Sequence, residues 1–359
     1  MVQFVEYSFD AAKDFLNALR LSNPEWGISQ PSAEPDRGWQ RAWIFRGQGT
    51  AAPLKPSAWR QPDIEKTKLL AQVKLAIKER VLAEAKGKVP IPQLDGQDYH
   101  VLSEVDQQQI VERRIDVVHQ AFAEVSLINE FTDLADELGF KVDPLPIWTH
   151  EIGSFVSRYI VESFPDSWDE QGRPAVYVRP EDRQSTFWRH PAVALAQHHG
   201  IPTRLLDWTR NPITAAFFAA KDIGIPDPDA DDCLVVYALH KTMLAQHIKL
   251  VEVPASENDF LRAQAGLFTF DAKGDTLFVQ QGDYPSLEDS VGYLDPPTNI
   301  VQPKKFMLPL TQAPELLRLL WLERITRAHL MPTLDHVAQA VMTKVRLSGN
   351  AAGIDLKGC

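Results

Sequence analysis

The chain has 359 residues, of which 44% are hydrophobic and 24% are charged, with a net charge of −11 and two cysteines. This composition is that of a soluble globular protein and disfavours disordered, collagenous and membrane-spanning classes. The excess of acidic side chains opposes broad nucleic-acid binding, and two distant cysteines supply neither a disulfide framework nor a metal site.

The N-terminal residues indicate a cytoplasmic protein. No stretch approaches the ~18 apolar residues that a membrane-spanning helix needs. Met1 to Asp10 lack the charged start, the apolar run and the cleavage site of a secretory signal. We therefore expect a cytoplasmic chain without a membrane partner.

The first half of the chain predicts one strand among long helices. Apolar residues at helical spacing predict a first helix over Val5 to Arg20, and the aromatic stretch Arg41 to Gly47 predicts a short strand that ends on a glycine. Good helix formers fill Ile64 to Lys86, and apolar residues three or four apart run from Glu104 to Leu138. Ile147 to Phe164 predicts a further helix.

The second half mixes helices and strands. After a proline-bearing surface loop over Pro165 to Arg183, helices are expected over Phe187 to His199 and Pro212 to Asp222. The continuous apolar run Cys233 to Leu239 predicts a central, buried strand. Three further strands and a closing helix are expected over Ile248 to Val253, Leu267 to Phe270, Lys305 to Leu310 and Ala313 to Arg327.

These elements predict an α+β fold, in which a small mixed β-sheet carries two sequence motifs and is flanked by helices. We expect a single domain over residues 1–340 and a C-terminal tail over residues 341–359. A helical insertion at about residues 60–185 is expected to pack beside the sheet and offers a surface for a protein partner.

The first motif is Phe45-Arg46-Gly47-Gln48, at the end of the predicted strand. An arginine beside a glycine presents a planar guanidinium where a ligand can come close to the backbone. Such a group binds phosphate or carboxylate, but an arginine at a strand end can equally bridge two elements through a buried carboxylate. The sequence leaves both interpretations of Arg46 open.

The second motif is the polar stretch from His198 to Thr209. Adjacent histidines point to different sides of a helix, so at most one of His198 and His199 faces a given pocket. Charged residues among leucines and a tryptophan are costly to bury unless they are paired or used. The stretch is therefore either a ligand site or a turn braced by an ion pair between Arg204 and Asp207. Its spacing disfavours a metal site.

Four stretches resemble the FRG domain of bacterial proteins, which is named after its first motif. They are Trp43-Ile44-Phe45-Arg46-Gly47-Gln48, then His198-His199-Gly200-Ile201-Pro202-Thr203-Arg204-Leu205-Leu206-Asp207-Trp208-Thr209 with Ala215-Ala216-Phe217-Phe218-Ala219, and Arg262-Ala263-Gln264-Ala265-Gly266-Leu267-Phe268. The resemblance spans roughly residues 40 to 340. It implies a component of a bacterial toxin or phage-defence system.

The first motif is also similar to that of ADP-ribosyltransferases, where an arginine contacts the phosphates of NAD. This similarity implies NAD as a possible co-substrate, with Arg46 and Arg204 as clamps and Trp208 or Phe268 as a stacking surface. The residues implied in binding are Phe45, Arg46, Gly47, Gln48, Thr203, Arg204, Trp208, Arg262 and Gln264. The catalytic residues implied are His198, His199 and Asp207.

One feature of many arginine-directed transferases does not occur in the chain. They carry a Glu-x-Glu or Gln-x-Glu pair, and Gln264 is the nearest positional candidate for that role. The function expected from the sequence is an NAD-consuming, ADP-ribosyltransferase-like effector that needs no metal. The alternative is a module that senses a nucleotide or another small anion without turnover and recognises another protein.

Overall fold

A computed structural model describes residues 4–23, 26, 42–60, 65–89, 104–164, 185–222, 232–245, 247–254, 258–291 and 302–351. The predicted loop over Pro165 to Arg183 lies outside these residues. The strands are β1 Val5–Ser8, β2 Trp43–Gln48, β3 Leu205–Thr209, β4 Cys233–His240, β5 Ile248–Val251, β6 Gly266–Asp271 and β7 Lys304–Pro309.

The helices surround these strands in chain order. They are α1 Ala12–Leu19, α2 Glu65–Ala85, α3 Glu104–Glu137, α4 Ile152–Ser163, α5 Ser185–Trp188, α6 Pro191–His198, α7 Pro212–Ala220, α8 Asp259–Gln264, α9 Gly274–Gln281, α10 Leu287–Val291, α11 Ala313–Leu322, α12 Arg327–Leu330 and α13 Leu334–Ala351. A helical turn over Ser57–Trp59 follows β2. In the part of the chain that the structure describes, no helix is long and apolar enough to cross a membrane.

The described strands form one seven-stranded mixed sheet in the order β1-β7-β4-β2-β3-β6-β5. The edge pair β1 and β7 is parallel, and the other described pairs are antiparallel. The register of β2 with β4 runs over six residue pairs, whereas that of β2 with β3 contains one pair, Phe45 with Thr209. The two strands that carry the motifs therefore meet at one point and diverge beyond it.

Among the described residues, three hydrophobic cores pack against the sheet. One joins Phe45, Val236 and Phe306 to apolar residues of α1, α7 and α11. A second joins Leu205 and Phe270 to α2, α3, α4 and α6, so the predicted helical insertion shares a core with β3 and β6. The third lies on the opposite face of β2 and β4, because side chains alternate along a strand.

The structure confirms an α+β fold. The helices predicted over Ile64 to Lys86 and Glu104 to Leu138 are α2 and α3, within one or two residues at each end. The apolar run Cys233 to Leu239 is β4, buried between β2 and β7. Long periodic helices and a fully buried strand carry the strongest local signals, which explains this agreement.

The first predicted element was wrong at its N-terminal end. Val5 to Ser8 form β1, and their side chains alternate between half-buried and exposed positions. β1 pairs with β7, which lies near the other end of the chain and gives no signal in the local sequence. Helical spacing holds only from Ala12, where α1 buries one apolar face.

Three more expectations differ from the structure. The helix expected over Phe187 to His199 is divided into α5 and α6, because Pro191 begins a new helix. The closing helix ends at Leu322, and α12 follows as a separate turn. The last helix, α13, continues across the expected boundary at residue 340, where the sequence analysis placed a tail.

Candidate functional site

The three residues of the first motif divide between the two faces of the sheet. Phe45 is fully buried and packs edge-to-face on Trp26, with ring centroids 5.3 Å apart. A Cβ atom on Gly47 would lie 1.8 Å from the carbonyl oxygen of Ala215, so glycine is required for α7 to pack on β2. Arg46, between them, points to the other face.

Arg46 spans the opening between β2 and β3. Its NH1 donates to the backbone oxygen of Asp207 at 2.9 Å and lies 3.6 Å from the Oδ2 of that carboxylate. Its Nε donates to Oε1 of Gln48 at 3.1 Å. The side chain of Arg46 is 12% exposed, whereas that of Asp207 is 59% exposed. A cation held within the protein thus lies beside a carboxylate that faces solvent.

Burial lowers the pKa of Arg46 to about 10, although Asp207 opposes the shift. A pKa of about 10 leaves the guanidinium charged at neutral pH. A charged group that is withdrawn from water interacts more strongly with an anion than an exposed one does. A guanidinium in these surroundings is chemically suited to a phosphate or carboxylate.

Asp207 is held in place from the side of α6. Gln197, near the end of α6, donates from Nε2 to Oδ1 of Asp207 at 2.6 Å. The hydroxyl of Thr203 donates in turn to Oε1 of Gln197. Thr203 is fully buried, and its backbone is hydrogen-bonded to Ser57 and Ala58 of the turn that follows β2. The motifs on β2 and β3 are thereby joined into one cluster.

A second arginine belongs to this cluster. Arg60 directly follows the turn that is bonded to Thr203, and its Nε donates to the backbone oxygen of Lys55 at 2.9 Å. Burial lowers the pKa of Arg60, and the charge of Asp207 opposes that shift. The charge of Arg60 also lowers the pKa of Arg46, because the two positively charged side chains repel each other. The carboxylate of Asp207 thus acts on both Arg46 and Arg60.

The two histidines of the second motif surround a phenylalanine. The ring of Phe260, on α8, lies 4.7 Å from that of His198 and 5.8 Å from that of His199. Burial lowers the pKa of His198 to about 4, against an opposing effect of Asp207. For His199 burial alone accounts for the lowered pKa. Of the two histidines, His198 is the one close to Asp207, and it is neutral at pH 7.

Arg204 lies in the interior, away from this opening. Its side chain is 1% exposed, with Nε 3.0 Å from Glu124 and NH1 3.0 Å from Asp275. NH1 also donates to the hydroxyl of Tyr159 at 2.8 Å, and the guanidinium carbon lies 4.2 Å from the ring centroid of Trp188. The interpretation that Arg204 and Asp207 pair with each other was wrong, because each has a different partner.

The Arg204 network joins α3, α4 and α9 to the start of β3. Burial alone lowers the pKa of Arg204, but Asp275 and Glu124 outweigh it and raise the pKa well above its usual value. Burial raises the pKa of Glu124. With its donors taken by carboxylates and a phenol, the guanidinium offers no free edge to a ligand in this conformation. The structure gives Arg204 a bracing role in place of the expected phosphate clamp.

The remaining expected binding residues lie at the edge of the cluster or inside the core. Trp208 is buried and donates from Nε1 to Thr269 at 3.0 Å, and Phe268 is also buried, so neither ring is a stacking surface here. Arg262 is exposed and pairs with Asp259 of its own helix. Gln264 accepts from Thr209 at its backbone oxygen at 2.6 Å, which links the second and third motifs.

Sequence reasoning missed three members of the site. Gln197 immediately precedes the second motif, Arg60 lies 12 residues after the end of the first motif, and Phe260 precedes the third motif by two residues. Within the described residues, no group of three or more His, Cys, Asp or Glu side chains is placed to hold a metal ion. The signal that pointed to Gln197 was present, since it immediately precedes His198 on the same helix.

The fold and the cluster define an α+β protein whose arginine-centred site lies where two central strands diverge. The family model of the FRG domain matches residues 156–227, which include the second motif, β3 and α7. The chain thus contains an FRG domain, and Phe45-Arg46-Gly47 lies outside the matched range but contacts it through Asp207 and Ala215. No curated protein and no solved structure matches the chain.

Proposed function

We propose that the chain binds NAD at the Arg46 cluster and consumes it in an ADP-ribosyltransferase-like reaction. The observation that carries this proposal is the pair formed by a withdrawn guanidinium, Arg46, and an exposed carboxylate, Asp207, at the divergence of β2 and β3. Arg46 and Arg60 supply two cations for the two negative charges of a pyrophosphate. Charge-assisted hydrogen bonds of this kind contribute about 1.5–3 kcal/mol each.

The chemistry assigns different roles to the other residues. The bond between ribose C1′ and nicotinamide breaks, nicotinamide leaves with the electron pair, and positive charge develops on the ribose. Asp207 stabilises that charge. The acceptor, or water, then attacks C1′ to form the new bond and releases its proton to solvent. His198, neutral at pH 7, is suited to hold a ribose hydroxyl and is a weak proton acceptor, because its pKa is about 4. Phe260 is the aromatic surface nearest to it.

The test is incubation of the purified chain with NAD, with and without bacterial lysate, while nicotinamide release and ADP-ribose transfer are measured. We expect Arg46→Gln to lose activity by about 100-fold or more, as when one transition-state donor is removed. Arg318→Gln is the matched control, because Arg318 is an exposed arginine on α11 that pairs with Glu315. It should keep full activity.

The outcomes separate the two functions that the sequence suggested. A parent chain that binds NAD but releases no nicotinamide would favour the sensing module over the enzyme. A parent chain that neither binds nor consumes NAD would contradict both uses of this site for NAD. Activity that persists in Arg46→Gln would place the reaction elsewhere in the chain.

The biological setting is part of the same proposal. The resemblance of the motifs to FRG proteins supports a role in a bacterial toxin or phage-defence system, with a host-cell molecule as acceptor. Expression of the parent chain in a bacterial host should then slow growth, and Arg46→Gln at the same protein level should not. Equal growth inhibition by both chains would separate toxicity from the Arg46 cluster.

A further inference from the structure

The last helix, α13, exposes apolar residues on the side that faces away from the protein. Leu334, Val337, Val341, Met342 and Val345 are 87%, 45%, 54%, 51% and 55% exposed. Isolated exposed apolar residues are ordinary, but a contiguous set on one helix face marks a contact surface. The opposite side of α13 packs against the body, where Ala340, Thr343 and Leu347 line a small cavity with Trp321.

The exposed face has the spacing of a coiled-coil seam. Leu334, Ala338, Val341 and Val345 follow one another at intervals of four, three and four residues, and all four are exposed. Alternating intervals of four and three residues make up the seven-residue repeat with which two helices pack along each other. The seam is opposite the face that contacts the body, so a second helix can lie along it without displacing α13.

The charges beside the seam specify the direction of the second helix. Asp335 lies in the first turn of α13, and Lys344 and Arg346 lie toward its C-terminal end. An antiparallel copy sets Leu334 opposite Val345 and Ala338 opposite Val341. In that register Arg346 of one copy lies about two residues, roughly 3 Å along the axis, from Asp335 of the other. Both are on the same flank of the seam, and antiparallel packing brings like flanks together.

We infer that α13 is a homodimer interface, in which two copies of the chain pack their last helices antiparallel around a two-fold axis midway between Ala338 and Val341. The arrangement is self-complementary, as a two-fold interface requires, because each copy contributes one Asp335 and one Arg346. One helix pair buries less surface than a standard interface, so we expect a weak dimer that forms at high protein concentration. The inference does not depend on the function of the Arg46 cluster.

The test is the molar mass of the full chain, measured by light scattering over a concentration series into the hundreds of micromolar. The parent should approach twice the monomer mass. Val341→Glu should weaken the dimer by about tenfold or more, since it brings two carboxylates to the axis. Leu75→Glu, at an exposed apolar residue of α2, is the matched control and should dimerise like the parent.

A charge exchange tests the direction of the helices. Asp335→Arg and Arg346→Asp should each weaken the dimer by roughly 3- to 10-fold, and the double variant should restore it. The unfolding transition of each variant should match that of the parent, because these side chains face solvent in the monomer. A parent that stays monomeric, a dimer that tolerates Val341→Glu, or a double variant that is not restored would each overturn the inference.

Discussion

Arg46 and Arg204 belong to the two motifs that mark the chain, and the structure places them in opposite surroundings. Arg204 is enclosed by Glu124, Asp275 and Tyr159, and it connects helices to the sheet. Arg46 pairs with the carboxylate of Asp207, which faces solvent. An arginine that is fully paired inside the protein stabilises the fold, whereas one beside an exposed partner can exchange that partner for a ligand.

The largest expected effect is the loss of the interior arginine. Arg204→Met should lower the free energy of unfolding by about 3–5 kcal/mol, because two buried carboxylates lose their cation. Glu124→Gln should cost less, since Arg204 keeps Asp275 and the amide keeps a hydrogen bond. Urea unfolding measures both. A loss below about 1 kcal/mol in Arg204→Met would remove the contrast between the two arginines.

The second expected effect is a loss of activity without a loss of stability. Arg46→Gln should lose about 100-fold or more in NAD turnover, while its free energy of unfolding changes by no more than about 1 kcal/mol. Turnover and urea unfolding are measured on the same preparation. An unfolded Arg46→Gln would show that Arg46, like Arg204, braces the fold.

The third expected effect is a loss of stability at Gly47, which follows Arg46 in the first motif. Gly47→Ala should destabilise the chain by about 1–3 kcal/mol, because its methyl group would overlap the backbone of α7 at Ala215. Gly153→Ala, in α4, is the control, since its methyl group would lie 3.4 Å from the flexible end of Glu84. That variant should be neutral or slightly stabilised. Equal thermal unfolding of both variants would contradict the close approach of α7.

The smallest expected effect is a dependence of folding stability on pH, caused by His198. The pKa of His198 is about 4 in the folded chain, below the usual value of 6.5. The unfolded state binds more protons in this range, so the stability contribution is present above pH 6.5 and is lost as the pH falls toward 4. Between pH 7 and pH 5, the parent should lose roughly 1–2 kcal/mol more than His198→Gln. An equal loss of stability in the parent and in His198→Gln, measured by urea unfolding at the two pH values, would contradict this prediction.

Much of the fold was predictable because its strongest signals are local. The apolar run of β4 and the periodicity of α3 each define an element without reference to the rest of the chain. β1 was not predictable, because its four residues become a strand through pairing with β7. This long-range pairing is the reason why Val5 to Ser8 form a strand although the local sequence predicted a helix.

The sequence predicted which residues belong to the candidate site better than it predicted which residues pair with one another. Arg46, His198 and Asp207 stood out as costly polar groups near apolar sequence. The partners of Arg204 are 80 and 71 residues away, so spacing suggested the nearer carboxylate, Asp207. Which arginine faces solvent depends on how the helices pack over β3, and a single sequence carries no signal for that.

The central claim is that Arg46 forms the anion-binding part of the site, and calorimetric titration of NAD tests it most directly. The parent chain and Arg318→Gln should bind NAD with the same affinity, and Arg46→Gln should show binding weakened by about 100-fold or more. Unchanged affinity in a folded Arg46→Gln would contradict the account.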